Sequence, residues 1–209
     1  MKKITTLFLS IIVLLFTCIP AFAINDPVIV DDKATFVLYD DSGNSYELDA
    51  ELVETNNSAS IYSASNNFAK TYNVAIPKRI VSDNHNSTGA DSSYCANVSL
   101  TIYYTVNNSV IPSLYRLDGA SGSYTITDPN VTSWNADLNF FYGGHNPSTG
   151  VWARDTDKIK NIGTPFNYYT GYSVFVAPIE GYLDQIGSSV VFNFKMGTRS
   201  FTGEFKVTV

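Results

Sequence analysis

YCANVSLTIYYTV, residues 94–106, is the stretch that decides the fold. Tyr94, Ala96, Val98, Leu100, Ile102, Tyr104 and Val106 alternate without a break with Cys95, Asn97, Ser99, Thr101, Tyr103 and Thr105. A helix would scatter the first set around its circumference, whereas a strand collects it on one side. The pattern predicts a long, half-buried β-strand. At about 3.3 Å per residue it spans roughly 40 Å, long enough that a bend, a bulge or a frayed end is expected.

Working outward, the same period of two recurs. Upstream, Phe36 and Leu38 alternate with Thr35, Val37 and Tyr39, and Tyr46, Leu48, Ala50 and Leu52 alternate with Glu47, Asp49, Glu51 and Val53. The Asp-Asp-Ser-Gly-Asn run between them, residues 40–44, predicts a hairpin turn with Gly43 or Asn44 at positive φ. Tyr72, Val74 and Ile76 predict another strand, ended by Pro77, while the Asn- and Ser-rich residues 56–67 show no clear period. Residues 82–93 are polar and read as a loop or linker.

Downstream, Leu114, Tyr115 and Leu117 precede an apparent turn at 118–122, and Tyr124 and Ile126 precede another at 128–130. Trp134, Ala136, Leu138, Phe140 and Tyr142 form a clear strand face, followed by a Gly-Gly-His-Asn-Pro loop that takes His145 as a turn residue. A short strand at 151–154, a helical turn within 155–162 and a strand through Tyr172, Val174 and Val176 come next. A terminal hairpin sets Val190, Phe192, Phe194 and Met196 against Phe201, Phe205, Val207 and Val209 across a turn near Gly197.

Strands at this spacing, each with one dry and one wet face, predict an all-β protein: an antiparallel two-layer β-sandwich, Ig-like or jelly-roll-like. The expected organisation is a signal peptide over 1–23, an N-terminal β-hairpin region over 24–81, a linker or loop at 82–93 and a β-sandwich domain over 94–209. A single sandwich drawing on both halves fits the same pattern.

Lys2 and Lys3, an apolar run at 7–19, Pro20 and the Ala21-Phe22-Ala23 triplet make the signal peptide, with cleavage after Ala23. The run is short for a membrane span, and Thr17 before Cys18 does not suit lipidation. Secretion is therefore expected. Loss of Lys2 and Lys3 takes the net charge from −6 to about −8. That acidity argues against nucleic acid and anionic membranes as partners, since both require a cationic patch. Cys95 would then be the one remaining cysteine, so stability must come from the core rather than a disulfide.

Catalytic and metal patterns are weak. Cys95 with His85 or His145 lacks the context of a cysteine hydrolase, and there is no Gly-x-Ser-x-Gly elbow. Two histidines without metal spacing predict no zinc site, and no cofactor is expected. Asp40, Asp41 and Asn44, or Asp155 and Asp157, offer oxygen ligands for calcium, but the first group is better explained as turn chemistry. Asp137, Asp155, Asp157, Glu180 and Asp184 leave a small secreted hydrolase as an alternative. The Ser/Thr-rich strand faces leave another, a β-rich pore-forming toxin.

Aromatic content is the outlying quantity: 14% of residues, including fourteen tyrosines. Tyr103 and Phe141 fall on polar strand faces, and Trp152, Tyr168, Tyr169 and Tyr172 lie in or near expected loops. Flat rings beside Asn, Asp and hydroxyl groups stack on sugars or anchor protein interfaces. These six are the candidate ligand-binding residues, and the expected partner is an extracellular polysaccharide or a surface protein. Oligomeric state is not legible.

Overall fold

The structure, a computed structural model, describes residues 33–59, 65–81, 93–177 and 185–209. The expected signal peptide, most of the 82–93 stretch, Glu180 and Asp184 lie outside the described residues. The elements in order are β1 (Lys33–Asp40), β2 (Ser45–Leu48), β3 (Glu51–Ala59), β4 (Ser65–Pro77), α1 (Lys78–Val81), β5 (Tyr94–Asn107), β6 (Leu114–Ile126), β7 (Val131–Asn146), β8 (Val151–Ile159), β9 (Phe166–Tyr169), β10 (Ile186–Met196) and β11 (Arg199–Thr208).

They form two antiparallel sheets packed face to face. One has six strands in the order β2-β1-β11-β10-β7-β8, the other five in the order β3-β4-β5-β6-β9. Strands from both sides of the 82–93 stretch enter both sheets, since β1 pairs with β11 and β4 with β5. Across the core β10 faces β5 and β6, β11 faces β5, and β6 faces β7. The alternation that predicts each strand supplies the filling. Leu100 and Ile102 of one sheet and Phe36, Phe140, Phe192 and Phe205 of the other are fully buried.

The long strand is present as expected, with one change that matters. In the β4–β5 ladder Ile76 faces Ala96 and Pro77 faces Tyr94, so Cys95 is an extra residue in a β-bulge. Cys95 and Ala96 both turn inward, and Tyr94, predicted to face the core, is thrown onto the outer face with 47% of its surface exposed.

Other expectations are corrected. The run from Tyr46 to Leu52 is not one strand: it breaks after Leu48, and the chain crosses from the six-stranded to the five-stranded sheet, leaving Leu52 exposed. Residues 118–122 are not a turn but the middle of β6. Their glycines answer close backbone approach, for a Cβ on Gly122 would lie 2.1 Å from the Ser99 carbonyl oxygen. Residues 155–159 are not helical but belong to β8, and His145 is in β7 rather than a turn. β8 is an edge strand that touches the core only through Ala153 and Ile159, so Arg154, Asp155, Asp157 and Lys158 guard it and no apolar alternation marks it. Tyr172, Val174 and Val176 form no strand. Their segment is held by two isolated bridges, Tyr115 to Val176 on β6 and His145 to Ala177 on β7.

The hairpin turn is as predicted. Gly43 takes φ +83°, and Asp40 Oδ1 accepts from the N–H groups of Ser42 (3.0 Å) and Asn44 (2.8 Å).

Candidate functional site

The outer face of the five-stranded sheet collects the chemistry. Because β5 sends its even-numbered residues inward from Ala96 to Val106, Asn97, Ser99, Thr101, Tyr103 and Thr105 point outward. Ladder register sets Ala69, Tyr103, Gly119 and Tyr169 side by side across four strands. Gly119 carries no side chain, so the row is two phenol rings flanking a bare stretch of backbone. Tyr169 is 74% exposed, whereas Tyr103 is half-buried and shares a 2.8 Å hydrogen bond between its hydroxyl and Ser121 Oγ. The adjoining row is Thr71, Thr101, Ser121 and Asn167, in which the Thr71 and Thr101 hydroxyls are 2.8 Å apart.

On the other flank of Tyr103 the β5–β6 ladder slips, leaving Asp118 as the extra residue between Leu117 and Gly119. The bulge aims its carboxylate at the outer face. Asp118 Oδ1 accepts from Arg116 Nε at 2.7 Å, and Oδ2 accepts from the buried Thr105 hydroxyl at 2.6 Å. Arg116 Nη2 also donates to Thr105 Oγ1 at 3.2 Å, and the guanidinium lies 5.0 Å from the centroid of the Phe175 ring. Asn67 Oδ1, 2.9 Å from the Thr105 hydroxyl, completes the group. Planar, fixed hydrogen-bonding groups thus stand beside a ring free to stack.

The six sequence-predicted residues separate into three places. Tyr103 and Tyr169 share the face just described. Phe141 and Trp152 lie on the outer face of the opposite sheet. There Lys206 Nζ is 4.9 Å from the centroid of the Phe141 ring, and Trp152, 64% exposed, packs on His145 at 4.7 Å between rings. Tyr168 and Tyr172 pack against the core. Tyr172 stacks on Tyr142 at 4.7 Å, its hydroxyl has no partner among the described residues, and burial, aided by Asp155 and Asp157, pushes its pKa up to about 12.

The Thr105, Asp118 and Arg116 group was missed because Asp118 beside Gly119 reads as turn chemistry. An interruption of apolar alternation by a single residue, Leu117 then Asp118 before Gly119, is the signal that would have found it.

Asp40 also gains partners rather than an open coordination shell. Oδ2 accepts from Asn44 Nδ2 (2.9 Å), the Tyr46 hydroxyl (3.2 Å) and Arg199 Nη2 (2.7 Å). Among the described residues no group of three or more His, Cys, Asp or Glu side chains is placed to hold a metal ion. None of the described helices is long and apolar enough to cross a membrane. The Cys95 thiol is buried, and desolvation pushes its pKa up to about 12. No protein-family model matches the chain, and neither a curated protein nor a solved structure is significantly similar to it.

Proposed function

We propose that this is a secreted, non-catalytic protein that binds extracellular carbohydrate on the outer face of its five-stranded sheet. The carrying observation is the row in which Tyr103 and Tyr169 flank Gly119 while the Asp118 and Arg116 pair stands beside them. A sugar ring has an apolar C–H face and a rim of hydroxyls. Tyr169 offers the stacking plane, and Asp118, Arg116 and Asn67 offer donors and acceptors whose positions are already fixed by mutual hydrogen bonds. The surround favours sugar over protein. Thr71, Thr101, Ser121 and Asn167 make it a hydroxyl and amide surface, whereas the centre of a protein interface is apolar and poor in serine.

Sedimentation of the full chain with insoluble polysaccharides and cell walls tests the proposal. Saturable binding is expected, weakened about tenfold by Tyr169→Ala, the loss of one stacking contact. Trp152→Ala distinguishes the two faces. Binding lost in that variant and retained in Tyr169→Ala would overturn the assignment, as would release of dye from liposomes or polysaccharide cleavage by a protein that retains nothing.

A further inference from the structure

A cleft of about 640 Å³ opens on the same outer face, at the end of β5 remote from Tyr103 and Tyr169. Its floor is the outward side chains of Asn73 on β4, Asn97 and Ser99 on β5 and Ser123 on β6. Tyr94, turned outward by the Cys95 bulge, closes its end. We infer that the ligand of this face is a linear, uncharged glycan lying along β5, with Tyr94 as a second stacking position. The inference rests on the carbohydrate proposal above and extends it from one sugar to a chain.

Three features carry it. The cleft and the tyrosine pair are not separate depressions, since the same strand supplies the floor of both. Between them runs one row, Thr71, Thr101 and Ser121, whose members on β4, β5 and β6 are no larger than threonine. Tyr94 and Tyr103 are nine residues apart, but with Cys95 bulged out they stand eight ladder steps apart, Pro77 to Ala69 on β4, which at about 3.3 Å per residue is roughly 26 Å along the strand. One sugar fills only one end. A strand-parallel chain reaches both, and its second stacking contact comes at the effective concentration set by the first.

The charge of the cleft then restricts the glycan. Glu47, Asp49 and Glu51, where the chain crosses between sheets, stand along one side, with Arg79 as the basic member of the lining. An anionic polysaccharide threaded there meets like charge. A neutral one does not.

Calorimetric titration with cello-oligosaccharides and chito-oligosaccharides, from the disaccharide to the hexasaccharide, tests this, with oligogalacturonates of the same lengths beside them. Affinity is expected to rise about tenfold or more from the disaccharide to the hexasaccharide. Tyr94→Ala and Asn97→Ala should each bring the hexasaccharide back towards the affinity of a shorter chain. Both positions are solvent-exposed, and an unchanged thermal midpoint verifies that each variant folds. If affinity is independent of length while polysaccharide binding still requires Tyr169, the chain-long site is wrong and the carbohydrate proposal survives. Oligogalacturonates bound as tightly as the neutral series also overturn the inference. Folded wild-type protein that retains no glycan at all overturns both.

Discussion

Tyr169 rests against the bare backbone of Gly119. A Cβ at 119 would lie 3.3 Å from Tyr169 Cδ1 and only 2.4 Å from the Tyr168 carbonyl oxygen. Glycine is therefore what lets β9 pair with β6 and brings Tyr169 level with Tyr103. Gly119→Ala should displace β9 and destabilise by about 1–3 kcal/mol, the range for a group forced into occupied space. Tyr169→Ala should change stability by no more than about 0.5 kcal/mol, because that side chain is largely solvated. Both should weaken glycan binding. Urea denaturation separates them, and an alanine at 119 with unaltered stability would show that the close approach is not what holds β9.

Asp40 and Arg199 tie the end of β1 to the start of β11 through a 2.7 Å ion pair. Hydrogen bonds, led by the Asn44 amide and followed by the Asn44, Tyr46 and Ser42 donors, hold the Asp40 pKa at about 2 against an ordinary 3.8. A depressed carboxylate favours the folded state above its unfolded pKa. That stability is complete above about pH 4 and is lost as pH falls towards about 2. Asp128, held low by Lys78, and Asp137, held low by the Asn161 N–H, act in the same direction. Asp40→Asn should lower stability at pH 7 and reduce, without abolishing, the loss between pH 7 and pH 3. Urea midpoints at the two pH values measure it. An unchanged difference would mean that other carboxylates carry the acid transition.

The sequence is most legible where one face of a strand is buried and the other wet. Val98, Leu100, Ile102, Phe192, Phe194 and Phe205 sit where alternation puts them, because a two-layer core demands it. Legibility fails where that demand lapses. β8 is exposed along most of its length, with only Ala153 and Ile159 against the core, so its residues carry no period. Gly119 and Gly122 are selected by neighbouring backbone rather than by a turn, and a local sequence does not name its neighbours. The candidate site divides in the same way. Tyr103 and Phe141 are placed outward by alternation alone, but only strand order reveals that Tyr169 joins the first and Trp152 the second. Tyr94 shows how a single bulged residue reverses the side on which everything before it lies.

Phe192 is the centre of the aromatic packing on the six-stranded sheet. Fully buried, it meets Trp134 at 5.0 Å between ring centroids and Tyr124 of the opposite sheet edge-on at 6.1 Å. Trp134 in turn meets Phe194, and Phe194 meets Phe201, at 5.0 and 5.2 Å. Phe192→Ala removes a ring that, with Trp134, joins the two layers through Tyr124, and should cost about 3–5 kcal/mol, whereas Phe192→Leu should cost less than about 1.5–2 kcal/mol because most of the volume is kept. Chemical denaturation of both variants checks the order. Near-equal losses would place the stabilisation in ring geometry rather than in filled volume.

Cys95 holds the bulge that sends Tyr94 outward. Its carbonyl accepts from the N–H groups of Thr127 (2.9 Å) and Asp128 (3.2 Å), which fastens this end of β5 to the β6–β7 turn. Its thiol is fully buried, and desolvation raises its pKa to about 12, so neither thiolate nor access is provided in the folded state. At pH 8 Cys95 of the native protein should stay unreacted with an aromatic disulfide reagent, and its modification should appear only as denaturant populates the unfolded chain. Cys95→Ala should be tolerated better than Cys95→Ser, which buries a hydroxyl in place of a weakly polar thiol at about 1–3 kcal/mol. Labelling that proceeds at a rate indifferent to denaturant would reveal a local opening of this strand end. Tyr94 would then not be held against the cleft, and the affinity gained from longer glycans should disappear with it.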